Sequence, residues 1–218
     1  MKGARVPAPR NPRPDGLATR QHLLDTAGRV FAERGYANTT SKEICERAGA
    51  PLAAVNYHFG GRYGLYEAVL LEAHRQMASL EDVVRITQGP GTPRQRMRNV
   101  MSYVIGMATR PSAWGMRVLL REVVSPSAAV STLVDKAIKP KAALLFALIG
   151  EILGLPADHP AVQRAFAFTL LPVFMLLMAP RQIASRMIPG VVDGGAELEA
   201  DLLRYVMAGL DAMARAYR

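Results

Sequence analysis

Cysteine is all but absent: Cys45 is the single one in 218 residues, so neither an internal disulfide nor a cysteine-based zinc site can form. Histidine is sparse too. His22, His58, His74 and His159 stand far apart, with no His-x-x-x-His pair and no clustered carboxylates. An enzyme would lack its parts, and neither a cofactor nor a metal is expected. No segment alternates polar and apolar with period two, and no Gly-rich loop follows a strand, which argues against sheet and nucleotide-binding α/β folds. Long apolar runs are missing as well: the most hydrophobic stretch, residues 165–180, is too short to span a bilayer and contains Pro172. The opening is rich in Arg and Pro rather than apolar, unlike a signal peptide. A cytoplasmic protein with no membrane partner is expected. Acidic residues are few, 18 against 27 Lys and Arg, for a net charge of +9. That balance suits an acidic partner such as nucleic acid.

What the chain does contain is helical periodicity. Half of its residues are hydrophobic and 6% aromatic, a composition suited to an all-α protein. The stretch TTSKEICERAGAPLAAVNYHFGGRYGL, residues 39–65, holds two short helical patterns separated by Gly49. Thr40 with Glu43 three residues on has the capping-box spacing. Gly49 supplies the positive φ that a sharp helix exit needs, and Pro51 is suited to open the second helix, residues 52–58. At about 100° per residue, Val55 and Phe59 share the inner side of that helix. Ala53 and Tyr57 fall opposite, flanked by Ala54 and Asn56. This outer side is small, polar and aromatic, without a carboxylate, as in helices that enter a DNA major groove. Cys45, beside Ile44, reads as a buried inert thiol, with redox sensing as the alternative.

Three stretches, in correct order and spacing, resemble the DNA-binding domain of TetR/AcrR-type transcriptional regulators: TRQHLLDTAGRVFAERGY (residues 19–36), the motif above, and GRYGLYEAVL (residues 61–70). The FAERGY helix end and the Tyr57-His58-Phe59 run ahead of Arg62 carry the resemblance. Pro51, where the family favours a polar residue, and Arg62, where it favours Lys, depart from it. The resemblance implies an all-α architecture with a three-helix helix-turn-helix head over residues 16–63. Residues 64–218 would supply a connecting helix and a larger body for ligand binding and dimerisation. It implies that Thr40, Ser41 and Lys42 meet phosphates on one side of the groove, and Tyr57, His58 and Arg62 on the other. Leu52, Ala53, Ala54 and Asn56 would reach base edges. His58 could instead donate to the backbone. The connecting helix, residues 62–80, would set the separation of two heads in a dimer. LLREVVSPSAAV (residues 119–130) followed by IKPKAALL (residues 138–145) is similar to the body of the CecR-like branch.

Residues 1–15 hold four prolines, and four cations against one acid, a local charge of +3. Such a segment cannot pack a core and is expected to be a disordered basic arm, either touching DNA or merely solvated. Leu23, Leu24, Ala27, Val30 and Phe31 form one stripe on a helix over residues 17–34. Beyond a loop at residues 87–93 the periodic segments are helical: 94–109, 111–124, a restart at Ser127 that runs to 153, 160–178, 181–187 and 196–217. Pro140 is expected to break or kink the segment that restarts at Ser127.

Phe166, Leu170, Val173 and Phe174 leave the 160–178 helix apolar almost all round, so both of its sides need covering. Phe166, Leu170 and Phe174, with Leu198, Leu202, Val206, Leu210 and Met213 of the last helix, are expected at a homodimer interface; a monomeric core is the alternative. Met101, Met107, Trp114, Phe146, Phe168 and Phe174 are expected to line a ligand pocket, with Arg117 and Arg121 near an anionic group. Core filling, and arginines solvated or paired with Glu122, are the alternatives. The function so implied is a homodimeric repressor on a pseudo-palindromic double-stranded DNA operator, released by a small-molecule effector. A ligand-independent regulator, an activator and a helical carrier are the rivals.

Overall fold

A computed structural model describes residues 14–108, 114–178, 181–192 and 195–217. The described residues form helices and their connecting turns, with no strand among them. Two compact units divide the chain between Val69 and Leu70. The expected arm lies outside the described residues except at its end, where Pro14 already opens a helix.

The first unit is a head of short helices. Helix α1 (Pro14–Arg34) lays Leu23, Leu24, Ala27, Val30 and Phe31 into its core. Helix α2 (Ser41–Ala48) begins at Thr40, whose side chain accepts the Glu43 N–H at 3.2 Å. The reciprocal half of the capping box is replaced: the Glu43 carboxylate meets Arg34 at 3.2 Å and Arg47 at 3.1 Å. Gly49 ends α2 at φ 61°, the left-handed conformation anticipated for the turn. Helix α3 (Leu52–Phe59) follows, with Pro51 as its extended N-cap rather than its first helical residue. Helix α4 (Arg62–Met77) then starts so close to the end of α3 that a Cβ on Gly64 would lie 2.0 Å from the Phe59 carbonyl oxygen. Glycine is required there by close approach.

Helix α4 contributes Leu65, Tyr66 and Val69 to the head, and Leu70, Ala73 and His74 to the body. It stops at Met77, three residues earlier than its apolar pattern suggests. A separate helix α5 (Leu80–Thr87) begins there, because the Ser79 hydroxyl accepts the Asp82 N–H at 3.0 Å. The body continues with α6 (Pro93–Ala108), α7 (Gly115–Val124), α8 (Val130–Leu133), α9 (Lys139–Leu153), α10 (Pro160–Met178), α11 (Arg181–Met187), α12 (Pro189–Val192) and α13 (Gly195–Ala216). The expected start of the α7 segment at residue 111 lies outside the described residues.

Pro140 does not break the chain into two helices. A π-helical turn over Val134–Ile138 joins α8 to α9, and the Lys139 N–H reaches back to the Val134 carbonyl. Widening the coil just ahead of the proline accommodates a residue that has no N–H of its own and crowds the preceding turn. Pro172 is likewise carried inside α10.

Helices α6, α9, α10 and α13 enclose the body's core, built on Met97, Met101, Leu148, Ile149, Val162 and Leu210. At its edge Arg94 pairs with Asp211 at 2.6 Å and Arg96 with Glu151 at 2.5 Å. No described helix is long and apolar enough to cross a membrane.

Candidate functional site

Helix α3 has too few residues to be stable in isolation, and packing gives it one buried side. Val55 is fully buried against the head's core, while Phe59 is half-buried under the guanidinium of Arg20, 4.9 Å from its ring centre. The opposite side is bare. Leu52, Ala53, Asn56 and Tyr57 are exposed, Tyr57 to 84% of its surface, with Ala54 and His58 half-buried beside them. The Tyr57 and His58 rings meet edge to face at 4.8 Å, which stiffens both without an apolar pocket. No carboxylate lies on α3. A protruding aromatic hydroxyl, an amide and small side chains are what remain to touch a partner, groups of the kind that can read base edges and phosphates.

The start of α2 is a second exposed polar surface of the head. Thr40 and Lys42 are exposed and Ser41 is half-buried. Thr40 spends its oxygen's acceptor role on the cap and keeps its O–H for an outside acceptor. Lys42 is tied only loosely to Glu46, at 3.9 Å on an open surface, a pairing of little strength.

Arg62 needs a different reading. Its guanidinium donates to the Thr39 carbonyl at 2.5 Å and the Tyr36 carbonyl at 3.4 Å, and stacks over the Tyr36 ring at 4.3 Å. Through Nη1 it holds the loop that precedes α2. With Thr39, buried and bonded through its hydroxyl to the Gly35 carbonyl at 2.7 Å, it fixes where Thr40 stands. It positions that loop through Nη1. Cys45 is buried with its thiol 3.8 Å from the Pro51 carbonyl, and burial pushes that thiol above its ordinary range. This fits an inert packing group.

In the body, the expected pocket and interface residues divide between a cavity, the core and the surface. A cavity of about 110 Å³ is lined by Met77, Val104, Met107, Phe166, Leu170 and Phe174 among others. Of the expected pocket residues, Met107 and Phe174 are there. Met101 is fully buried in the core and Trp114 is buried at the start of α7, neither on the cavity wall. Phe146 stands one layer back, edge to face with Phe166 at 4.8 Å. Arg117 is exposed and Phe168 points outward, 65% exposed.

Conversely, Phe166, Leu170 and Phe174, expected between subunits, line the cavity. Val206 and Leu210 are buried in the protomer's own core, and Leu198, Leu202 and Met213 are half-buried, the last two against that core. Val206 and Leu210 are closed off by their own chain. The outward strip consists of Phe168 and Leu171 on α10, and of Tyr205, Ala208, Gly209 and Ala212 on α13. Sequence reasoning reaches Tyr205 and Ala208 as the margin of the last helix's apolar stripe but misses the α10 part, because α10 is apolar almost all round and its periodicity carries no phase.

The polar end of the cavity was also missed. Lys141, on α9, and His74, on α4, are buried, with the lysine Nζ 2.7 Å from the imidazole Nδ1. Lys141 also donates to the Ala78 carbonyl. Burial, and then the neighbouring ammonium, push His74 down to about 4, so at neutral pH it is an uncharged acceptor. Burial lowers Lys141 from the usual lysine range. A Lys next to a Pro reads as surface; only its helical spacing from Ile138 and Leu145, both on the cavity wall, signals otherwise. Among the described residues no His, Cys, Asp and Glu group could hold a metal.

Comparison with known proteins agrees with this architecture. Residues 23–69 match the family described as bacterial regulatory proteins, tetR family, and residues 93–213 match the C-terminal domain of the HTH-type transcriptional dual regulator CecR. CecR of Shigella flexneri is 28% identical over 175 residues, covering 71% of this chain and 77% of its own length. The HTH-type transcriptional regulator AcrR of Shigella flexneri is 28% identical over 96 residues, 44% of each, so the chain spans less than half of that relative's length. A tetR-family transcriptional regulator from Streptomyces coelicolor has the same fold, with a TM-score of 0.60 at 22% identity over 93% of this chain and 84% of that one. These relatives are transcriptional regulators rather than enzymes. The chain belongs to the TetR family of bacterial regulatory proteins, with a CecR-type C-terminal domain, and is a DNA-binding transcriptional regulator.

Proposed function

We propose that the protein is a homodimeric repressor that acts in the cytoplasm on a pseudo-palindromic operator and leaves it when a small molecule occupies the body. One observation carries this reading: the exposed side of α3, with Leu52, Ala53, Asn56 and Tyr57 free and no carboxylate among them. Ala54 and Asn56 read base edges alongside Leu52 and Ala53. Thr40, Ser41, Lys42, Tyr57 and His58 hold the backbone on either side. Two copies joined through the outward strip of Phe168, Leu171 and Tyr205 would present two such helices across a dyad, which is why the operator is taken to be palindromic.

Release rests on α4. The same helix carries Gly64, packed on the end of α3, and His74 and Met77 on the cavity wall. A ligand that prefers one setting of α4 changes the population of DNA-competent dimers by its differential affinity, and by no more. CecR is described as a dual regulator, and this favours as a second reading that the same dimer activates at some promoters.

Selection of bound DNA from random sequence tests the proposal. Recovery of an inverted repeat, with half-site centres about one helical turn apart or slightly more, is the expected result. Recovery of a single unrepeated half-site would remove the dimer from the reading, and recovery of no sequence at all would remove the operator.

A further inference from the structure

The cavity of the body is apolar except at one end, where an ammonium group sits without a counter-ion. Lys141 donates two of its three N–H groups, to His74 Nδ1 at 2.7 Å and to the Ala78 carbonyl. His74 accepts through Nδ1 because its proton resides on Nε2, the tautomer this contact requires. The third N–H has no partner among the described residues, and no carboxylate among them lies within ion-pair distance. Glu81 acts on Lys141 only at longer range. The remaining polar lining group, the Tyr103 hydroxyl, donates to Asp82 at 3.2 Å. Everything else on the wall is apolar: Met77, Ile86, Val104, Met107, Leu145 and Phe174 among them.

A buried charge is normally paired, because desolvation without a partner is costly. Here the neutral neighbour offers a dipole and no opposite charge. We propose that the missing counter-ion is the effector itself: the cavity takes a small apolar carboxylic acid, its carboxylate on the free N–H of Lys141 and its ring or short chain among Met77, Ile86, Val104 and Phe174. This deepens the effector reading above and rests on it.

The other ligand classes fit less well. An alcohol or amide would hydrogen-bond but leave the charge unbalanced. An amine would be repelled. A phosphate dianion would bring two charges to one cation with a single N–H to spare. His74, held neutral by burial, adds no second cation, so the site balances one negative charge. Size is bounded as well: at about 110 Å³ the cavity is somewhat smaller than the roughly 150 Å³ that admits benzene in an engineered core. One ring or a chain of a few carbons is therefore the scale of the buried part.

The test compares isosteric probes on the full-length protein at neutral pH by isothermal titration calorimetry: benzoate against benzamide, and hexanoate against hexanamide. Each acid is expected to bind at least tenfold tighter than its amide. In Lys141→Met, which replaces the ammonium by an apolar chain of similar length, each acid should lose at least tenfold and each amide should bind as well as before or better. Amides that match the acids on the wild-type protein overturn the proposal, as does undiminished acid binding by the folded variant. The wild-type comparison decides the matter by itself if Lys141→Met does not fold. Absence of heat and of thermal stabilisation with all four probes overturns both the acid assignment and the effector reading beneath it. Equal binding of acid and amide leaves that reading standing and removes only the acid.

Discussion

In the head, α2 and α3 have eight residues each and are held by named polar contacts: the Thr40 cap, the Arg47 pairs with Glu33 and Glu43, and Arg62 on the Tyr36–Thr39 loop. In the body, α9, α10 and α13 run for 15, 19 and 22 residues and are held chiefly by apolar contact. The difference decides where each unit can be altered. A head of short helices depends on a few atoms standing in the right place, so one misplaced group should disarm it. A body with a broad apolar core absorbs small changes but is exposed at the few polar groups it has buried.

The sharpest test of that contrast is Gly64→Ala. A methyl group 2.0 Å from the Phe59 carbonyl oxygen forces α3 and α4 apart, and a cost of at least about 3 kcal/mol is expected. Calorimetric unfolding should register it, together with loss of operator binding. Normal DNA binding by the Gly64→Ala variant would show that the head is more compliant than its packing suggests.

The body's counterpart is His74. Its folded-state value of about 4 lies below the unfolded value near 6.5, so between these limits the unfolded chain binds the additional proton. The resulting stabilisation is complete above about pH 6.5 and drains away as pH falls toward 4, by up to about 3 kcal/mol. Denaturant titrations across that range should show the decline. In His74→Asn, which retains an acceptor for Lys141, the curve should lose that component. Identical pH profiles for the two proteins would mean that His74 is not held neutral.

Phe168→Asp probes the outward strip. Because Phe168 is 65% exposed in the protomer, folding should change by no more than about 0.5 kcal/mol. Self-association measured by sedimentation should weaken at least about a hundredfold, since two charges would be buried across a dyad. An unchanged dimer would move the interface elsewhere.

Smaller effects are expected on α3 itself. Asn56→Ala should cost about 1–3 kcal/mol at one base pair and relax preference there. Tyr57→Ala should weaken all sequences alike, by roughly tenfold. Fluorescence anisotropy on matched and mismatched operators separates the two. A uniform loss from Asn56→Ala would exchange their roles.

Head and body also differed in how far they could be read from sequence. The head was legible down to single side chains, because α3 has unlike faces: Val55 turned in, and Ala53 and Tyr57 turned out as their spacing requires. Gly49 and Thr40 act as their residue types predict, since caps and left-handed turns are local properties. The loop-holding role of Arg62 was not legible because a stacking partner 26 residues away in sequence, Tyr36, is not a local property. In the body, helix positions followed from periodicity, but facing did not. Phe166 and Phe168 are chemically alike on a helix apolar all round, and only tertiary packing sends one to the cavity and the other to the surface. Lys141 was overlooked for a related reason: lysine is seldom buried, and the π-helical turn before Pro140 interrupts the helical count by which its side would have been judged.

Pro172 leaves a chemical mark on the outer strip. Lacking an N–H, it denies the Phe168 carbonyl the donor that a regular helix would provide, and that oxygen belongs to the residue at the strip's most exposed apolar point on α10. Two greasy surfaces can slide past one another at little cost, but a bare carbonyl must be hydrated or met by a donor wherever it comes to rest. In the proposed dimer, a seam built around it would accept fewer alignments, and two heads that must span a fixed length of duplex would have use for that kind of stop.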